Sequence, residues 1–180
     1  DSVAVTVANA LPAGVSGGPD QTVLEGATMN LSSFFTDAGS LDTHTLLWEV
    51  VATNGQVVPT STSPNFSFTA VEDGTYTVKL TVIDDDLDAA QDTIIVTVNN
   101  APPQNVDGGP NLTVPEGQSV PLSASFTDPG IFDSHTIAWS VAAPSGITVP
   151  VGARPTFPFT PPDNGTSTLT LRVTDRDSAQ

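Results

Sequence analysis

Gly74-Thr75-Tyr76-Thr77-Val78-Lys79-Leu80-Thr81-Val82-Ile83 sets large apolar side chains at Tyr76, Val78, Leu80 and Val82 between threonines and a lysine. Successive side chains of an extended chain point to opposite faces. This period of two therefore predicts a strand over 76–83 with one face in a core and the other in water. The Glu72-Asp73-Gly74 run before it reads as a turn. Downstream, residues 93–98 alternate again, with Ile94, Val96 and Val98 on the inward face. Upstream, residues 45–51 form a strand that carries Trp48, and residues 66–69 one that carries Phe66 and Phe68. Residues 21–24 and 29–31 flank a Glu25-Gly26 turn, and residues 56–59 read as a short edge strand.

That makes seven short strands in about 90 residues, with a tryptophan on the third, the pattern of an immunoglobulin-type sandwich. With 16 Pro and 14 Gly spread along 180 residues, long helices are excluded and tight turns are frequent. The fold class is all-β.

The pattern occurs twice. Gly17-Gly18-Pro19 returns as Gly108-Gly109-Pro110, Glu25-Gly26 as Glu116-Gly117, and Phe35-Thr36-Asp37 as Phe126-Thr127-Asp128. Asp42, His44 and Trp48 return as Asp133, His135 and Trp139. Every pair is 91 positions apart, which predicts two tandem sandwiches. Phe157 and Phe159 repeat Phe66 and Phe68 as core residues, whereas Tyr76, placed like the tyrosine of a sandwich corner, is matched by Ser167.

The same offset aligns residues 1–9 with residues 92–100, the last strand of the first repeat. Residues 1–10 thus read as the last strand of a preceding repeat, 11–100 as repeat 1, and 101–180 as repeat 2 without a last strand of its own. Burying Val3, Val5 and Val7 is worth about 1.5–3 kcal/mol each, against a total of about 5–15 kcal/mol for a small domain. Without that strand the second sandwich is marginal and has an open sheet edge. Two arrangements satisfy this: a slice of a continuous array, or molecules joined head to tail by strand donation, which builds open filaments.

Asp and Glu number 20 against 4 Lys and Arg, a formal charge of −16. Such a surface repels phosphate backbones and anionic headgroups, which argues against nucleic acid as a partner. No apolar run approaches the roughly 18 residues of a membrane span, which argues against membrane insertion. The absence of cysteine removes disulfides, thiol catalysis and the common zinc frameworks. No nucleophile elbow, phosphate loop or His-Glu-x-x-His occurs, so no enzyme is expected.

Gly18-Pro19-Asp20-Gln21-Thr22-Val23, then Glu25-Gly26, Phe35-Thr36-Asp37, Asp42-Thr43-His44-Thr45 and Gly74-Thr75-Tyr76-Thr77-Val78 resemble the polycystic-kidney-disease (PKD) type repeat. The chain looks most like the tandem version in very large bacterial surface proteins, whose repeats end in Val-Asn-Asn-Ala-Pro-Pro as residues 98–103 do. The family's usual Trp-Asp-Phe-Gly-Asp-Gly is replaced by Trp48-Glu49-Val50-Val51 and Trp139-Ser140-Val141-Ala142, so no role tied to that loop carries over. The resemblance implies secretion, a place at a bacterial cell surface, and a spacer or adhesive role. The leading expectation is a structural module of an extracellular fibre, filament or stalk, whose partners are copies of itself or adjacent repeats. The alternative is a binding module for polysaccharide or a cell-surface partner.

Candidate metal ligands are Asp37, Asp42, Asp84, Asp86 and Asp88, with Asp128, Asp133, Asp175 and Asp177 as counterparts. Calcium takes six to eight oxygen ligands, which such loops supply; equally, aspartate favours turns because its carboxylate bonds nearby backbone N–H groups. No cofactor is required by this reading, and calcium is the one ion it admits. His44 and His135 share an Asp-x-His-Thr context in both copies and read as structural hydrogen-bonding residues. Val3, Val5 and Val7 are the candidate assembly strand.

Overall fold

The computed structural model describes residues 1–143 and 152–177. Among them every regular element is a strand, and no helix is long and apolar enough to cross a membrane. The chain divides into two compact units, Asp1–Asn99 and Asn100–Gln180.

Unit 1 contains β1 (Ala13–Ser16), β2 (Gln21–Leu24), β3 (Thr28–Ser32), β4 (Phe34–Thr36), β5 (His44–Ala52), β6 (Asn65–Thr69), β7 (Gly74–Asp84) and β8 (Ala89–Asn99). One layer is a four-stranded sheet in the order β2-β8-β7-β5, antiparallel except for the parallel pair β2–β8. Facing it, β3 pairs β6 with Met29 opposite Phe68 and Leu31 opposite Phe66. The core between the layers is built from the alternating positions: Tyr76, Val78, Leu80, Val82, Ile94 and Val96 are fully buried, and Val98 nearly so. Trp48 is fully buried too, stacks on Phe66 at 5.5 Å between ring centroids, and donates its indole N–H to the Ser63 carbonyl at 3.0 Å.

Unit 2 contains β9 (Gln104–Asp107), β10 (Val120–Ser123), β11 (Ser125–Thr127), β12 (His135–Ala142), β13 (Thr156–Phe159) and β14 (Thr168–Asp175). Its pairings fall 91 positions after those of unit 1. Val120 lies opposite Phe159 as Met29 does opposite Phe68, and Trp139 opposite Leu171 as Trp48 does opposite Leu80. Two members have no counterpart among the described residues: residues 112–115 form no strand, and β14 is paired with β12 alone.

Three sequence expectations differ from this arrangement. Residues 56–59 form no edge strand; the only bridge there is Ser61 with Trp48. Pro59 has no N–H to donate. The Gln56 side chain makes the sheet-like bonds instead, giving to the Thr69 carbonyl at 2.8 Å and accepting from the Val71 N–H at 3.0 Å. β1 and β4 were not foreseen, because each is too short to show a period and β1 carries Gly14 at φ 60° with a register shift. Residues 1–10 carry no regular structure, and Val3, Val5 and Val7 are 86, 81 and 86 % exposed. An extended segment becomes a strand only when its backbone N–H and C=O groups find a partner. Residues 144–151 and 178–180 of the expected second repeat lie outside the described residues.

Candidate functional sites: an open strand slot and two acidic ends

In unit 1, β8 lies between β2 and β7. The corresponding place in unit 2 is a groove of about 1450 Å³, whose apolar lining includes Val106, Leu112, Trp139, Phe159, Leu169 and Leu171. The glycines beneath differ in their surroundings. A Cβ placed on Gly17 would lie 2.7 Å from Ile94 Cδ1 and 2.8 Å from Trp48 Cη2. One on Gly108 would meet Trp139 Cη2 at 2.9 Å and Cζ3 at 3.1 Å, with the Leu171 Cβ next at 3.6 Å. The tryptophan is in place in both units; the β8 isoleucine that packs beside it in unit 1 has no counterpart among the described residues of unit 2. β14 also begins at Thr168, whereas β7 begins at Gly74, the counterpart of Gly165. Of the stretch equivalent to the β8-paired part of β7, residues 165–167 therefore carry no strand structure.

Unit 1 records the polar fittings of the slot. Gly17 N–H donates to Asp92 Oδ2 at 2.8 Å, Ile95 N–H donates to Asp20 Oδ1 at 2.8 Å, and Glu25 N–H donates to the Asn99 carbonyl at 3.0 Å. A further fitting is common to both units. Asn9 Nδ2 gives hydrogen bonds to Asp84 Oδ2 at 2.9 Å and Asp88 Oδ2 at 3.0 Å, and Asn100 Nδ2 gives one to Asp175 Oδ2 at 2.9 Å. Asn9 and Asn100 are themselves 91 positions apart.

The candidate calcium ligands collect at this same end of each unit. Asp37 Oδ2 lies 3.0 Å from His44 Nε2 and its Oδ1 accepts the Gly39 N–H at 2.9 Å; Asp128 does the same with His135 at 2.8 Å and Gly130 at 2.9 Å. Each imidazole rests on a phenylalanine, Phe35 at 4.8 Å and Phe126 at 4.7 Å. The histidines thus brace a loop and face no nucleophile. Bonding to His44, and then to the Gly39 N–H, holds the Asp37 carboxyl below its ordinary 3.8. Asp42 is shifted the other way, first by desolvation and then by the negative charges of Asp85, Asp37, Asp86 and Asp84. Asp84 and Asp88 close the β7–β8 turn, where Asp84 Oδ1 accepts the Asp88 N–H at 2.9 Å.

In unit 2 the Asp133 side chain is fully buried, and burial raises its pKa against the opposing pull of Arg176. Arg176 Nε stands 3.3 Å from Asp133 Oδ1, an ion pair rather than a well-aimed hydrogen bond, and 3.2 Å from Asp177. Unit 1 has Asp85 at the position of Arg176. Unit 2 thus supplies its own cation where unit 1 adds another anion.

The loop end of unit 1 is a broad field rather than a closed cage. Among the described residues, no three of Asp37, Asp42, Asp84, Asp85, Asp86 and Asp88 set ligand oxygens within 4.8 Å of one another. At the other end of the unit, Glu25, Glu72 and Asp73 do, and the two glutamates are 3 % and 1 % exposed. Oxygens that close can share one hard cation at the 2.3–2.6 Å of calcium coordination. Sequence reasoning assigned these three to turns. The signal that could have found them was two acidic turns, Glu25-Gly26 and Glu72-Asp73-Gly74, at one end of facing layers.

Residues 17–98 match the family described as K319L-like, PKD domain. Among solved structures, the chain is similar to the PKD domain of human KIAA0319, at 19 % identity and TM-score 0.43, over 63 % of this chain and all of that one. It is similar to the fibronectin(III)-like modules of Clostridium thermocellum CbhA, at 17 % identity and TM-score 0.35, over 47 % of this chain and 92 % of that one. It is also similar to the Bacteroides ovatus mixed-linkage glucan utilization locus protein SGBP-B, solved with a mixed-linkage heptasaccharide, at 16 % identity and TM-score 0.40. That match spans 94 % of this chain but 45 % of the other. No curated protein sequence matches the chain.

Proposed function

From the premise that residues 17–98 form a PKD-type domain, we propose that the chain is a non-catalytic structural module of an extracellular fibre, filament or stalk. In this reading the strand pattern of residues 1–9 completes the sandwich of a neighbouring repeat. The observation that carries it is the pairing of a groove in unit 2, lined in part by Leu112, Trp139, Leu169 and Leu171, with three exposed valines at strand spacing. Exposed apolar surface of that kind marks an interaction site, and β-strand addition is the mode that fits an open sheet edge.

The adhesive alternative is the weaker one. A polysaccharide site needs a group of exposed rings to stack on sugars, whereas the exposed large aromatics among the described residues are Phe34 and Phe132, one in each unit.

Calcium is the further ingredient proposed for unit 1. Asp42 is desolvated among four other aspartates, and a divalent cation there would do what Arg176 does in unit 2.

The test of the structural reading is a variant in which a copy of residues 1–8 follows Gln180. The added strand is expected to enter the slot and raise the melting temperature of unit 2 by roughly 4–8 °C per kcal/mol gained. An unchanged melting profile would remove the idea that the groove takes a strand.

A further inference from the structure

We infer that Asn164 is a self-modifying site: its side-chain amide cyclises onto the Gly165 nitrogen, is lost as ammonia, and leaves aspartate and isoaspartate. The chain holds two Asn-Gly pairs, Asn54-Gly55 and Asn164-Gly165. The fold locks the first and leaves the second open.

Glycine favours this chemistry because, without a Cβ, it leaves its nitrogen open to approach. The Gly165 nitrogen gives up its proton and forms a bond to Asn164 Cγ. The Cγ–Nδ2 bond breaks, and that nitrogen leaves with the proton as ammonia. Water then adds to the cyclic imide. Opening at Cγ gives aspartate; opening at the main-chain carbonyl gives isoaspartate, whose backbone runs through the side chain. In sum one amide and one water become one carboxylic acid and one ammonia, and nothing is oxidised or reduced.

Ring closure needs a side-chain amide free to turn and a following nitrogen free to attack. Asn54 has neither. Its Nδ2 donates to the Glu72 carbonyl at 3.1 Å, the Asp73 carbonyl at 2.8 Å and the Tyr76 hydroxyl at 2.8 Å. Its Oδ1 accepts the Gln56 N–H at 2.9 Å, and the Gly55 N–H is itself bonded to the Ala52 carbonyl at 3.3 Å. Cyclisation there would have to dismantle the tyrosine corner.

Asn164 is exposed, between the end of β13 at Phe159 and the start of β14 at Thr168. Its backbone N–H donates to Asp163 Oδ1 at 2.8 Å, which anchors the turn without engaging the amide. Among the described residues no hydrogen bond holds its side chain or the Gly165 N–H. Gly165 stands at φ 119°, a conformation that keeps the position to glycine, so the turn itself retains the residue that exposes the nitrogen.

Unit 1 carries Asp73-Gly74-Thr75 at the place of Asn164-Gly165-Thr166, so one of the two products restores the residue type of unit 1. Either product adds a negative charge to a chain already at −16. The β12–β14 ladder begins at Ala142 opposite Thr168, beyond the modified residue, and is left in place.

Incubating the full chain at mildly alkaline pH, followed by peptide mapping in a mass spectrometer, reads both sites in one sample. Asn164 is expected to convert at least about tenfold faster than Asn54, which must first release hydrogen bonds that Asn164 does not make. Fragmentation should find isoaspartate beside aspartate at 164, the mark of the cyclic route rather than of direct hydrolysis. In a parallel sample unfolded in guanidinium, the two sites should convert at similar rates. An Asn164 that stays intact in the folded chain, or equal rates at the two sites there, overturns the inference. Aspartate alone at 164 overturns the cyclic route, and a gap between the sites that persists in guanidinium overturns the fold as its cause.

Discussion

Asp42 and Asp37 sit in one loop and respond to acid in opposite senses. The Asp37 carboxyl is held below 3.8 by His44 and the Gly39 N–H, so its contribution is present above pH 3.8 and is lost as pH falls through its lowered folded value. The Asp42 carboxyl is held above 3.8, so stability declines as pH rises from 3.8 through its raised folded value. Asp42→Asn should therefore raise the melting temperature of the calcium-free chain by a few degrees at pH 7, with no gain below pH 3.8. Differential scanning calorimetry across pH reads this directly. Millimolar calcium should stabilise the parent chain and not Asp42→Asn; equal responses would remove calcium from this loop.

Tyr76 provides a second test at the same scale. Its hydroxyl lies 2.6 Å from Gln56 Oε1 and 3.0 Å from the Glu72 carbonyl, and accepts from Asn54 Nδ2 at 2.8 Å. Tyr76→Phe should cost about 1–2 kcal/mol by urea denaturation, because it leaves buried partners unsatisfied. The corner was legible from a tyrosine following a Gly-Thr turn. Its use of Asn54 and Gln56 was not, since side chains some 20 residues away enter only once the sheet has formed.

Among the elements, those with a period were legible and those built on exceptions were not. Strands β2, β3, β5, β6, β7 and β8 lie where alternation and turn residues put them. β1 and β4 are held to each other with a register shift and a left-handed Gly14, which no periodic reading detects. The stretch 56–59 misled because Val57 and Val58 have strand propensity, while the adjacent Pro59 and the Gln56 side chain replace the ladder. The slot in unit 2 was legible only as a missing counterpart of β8. Its lining and the shortened β14 belong to the fold. Gly17→Ala tests the close packing of β8. A methyl 2.7 Å from Ile94 must push that strand or Trp48 aside, at a cost of about 1–3 kcal/mol seen in chemical denaturation. Gly108→Ala should cost less, because the Trp139 ring alone stands within 3.4 Å of its added methyl.

For the whole molecule, the two units differ in how much core they close. Among the described residues, fourteen buried side chains form the core cluster of unit 1 and three form that of unit 2. The free chain should accordingly unfold in two steps, unit 2 first, rather than as one two-state transition. Calorimetry with tryptophan fluorescence should assign the lower step to Trp139 and the upper to Trp48. A single cooperative transition would show that the two cores do not melt separately.

The parallel pairing of β2 with β8 determines how unit 1 answers a mechanical load. β2 lies near the start of the sandwich and β8 at its end, and their four paired positions run in the same direction. A pull on the two ends of the unit drags these strands past each other along their length. Their hydrogen bonds are then strained together instead of opening one after another from a free end.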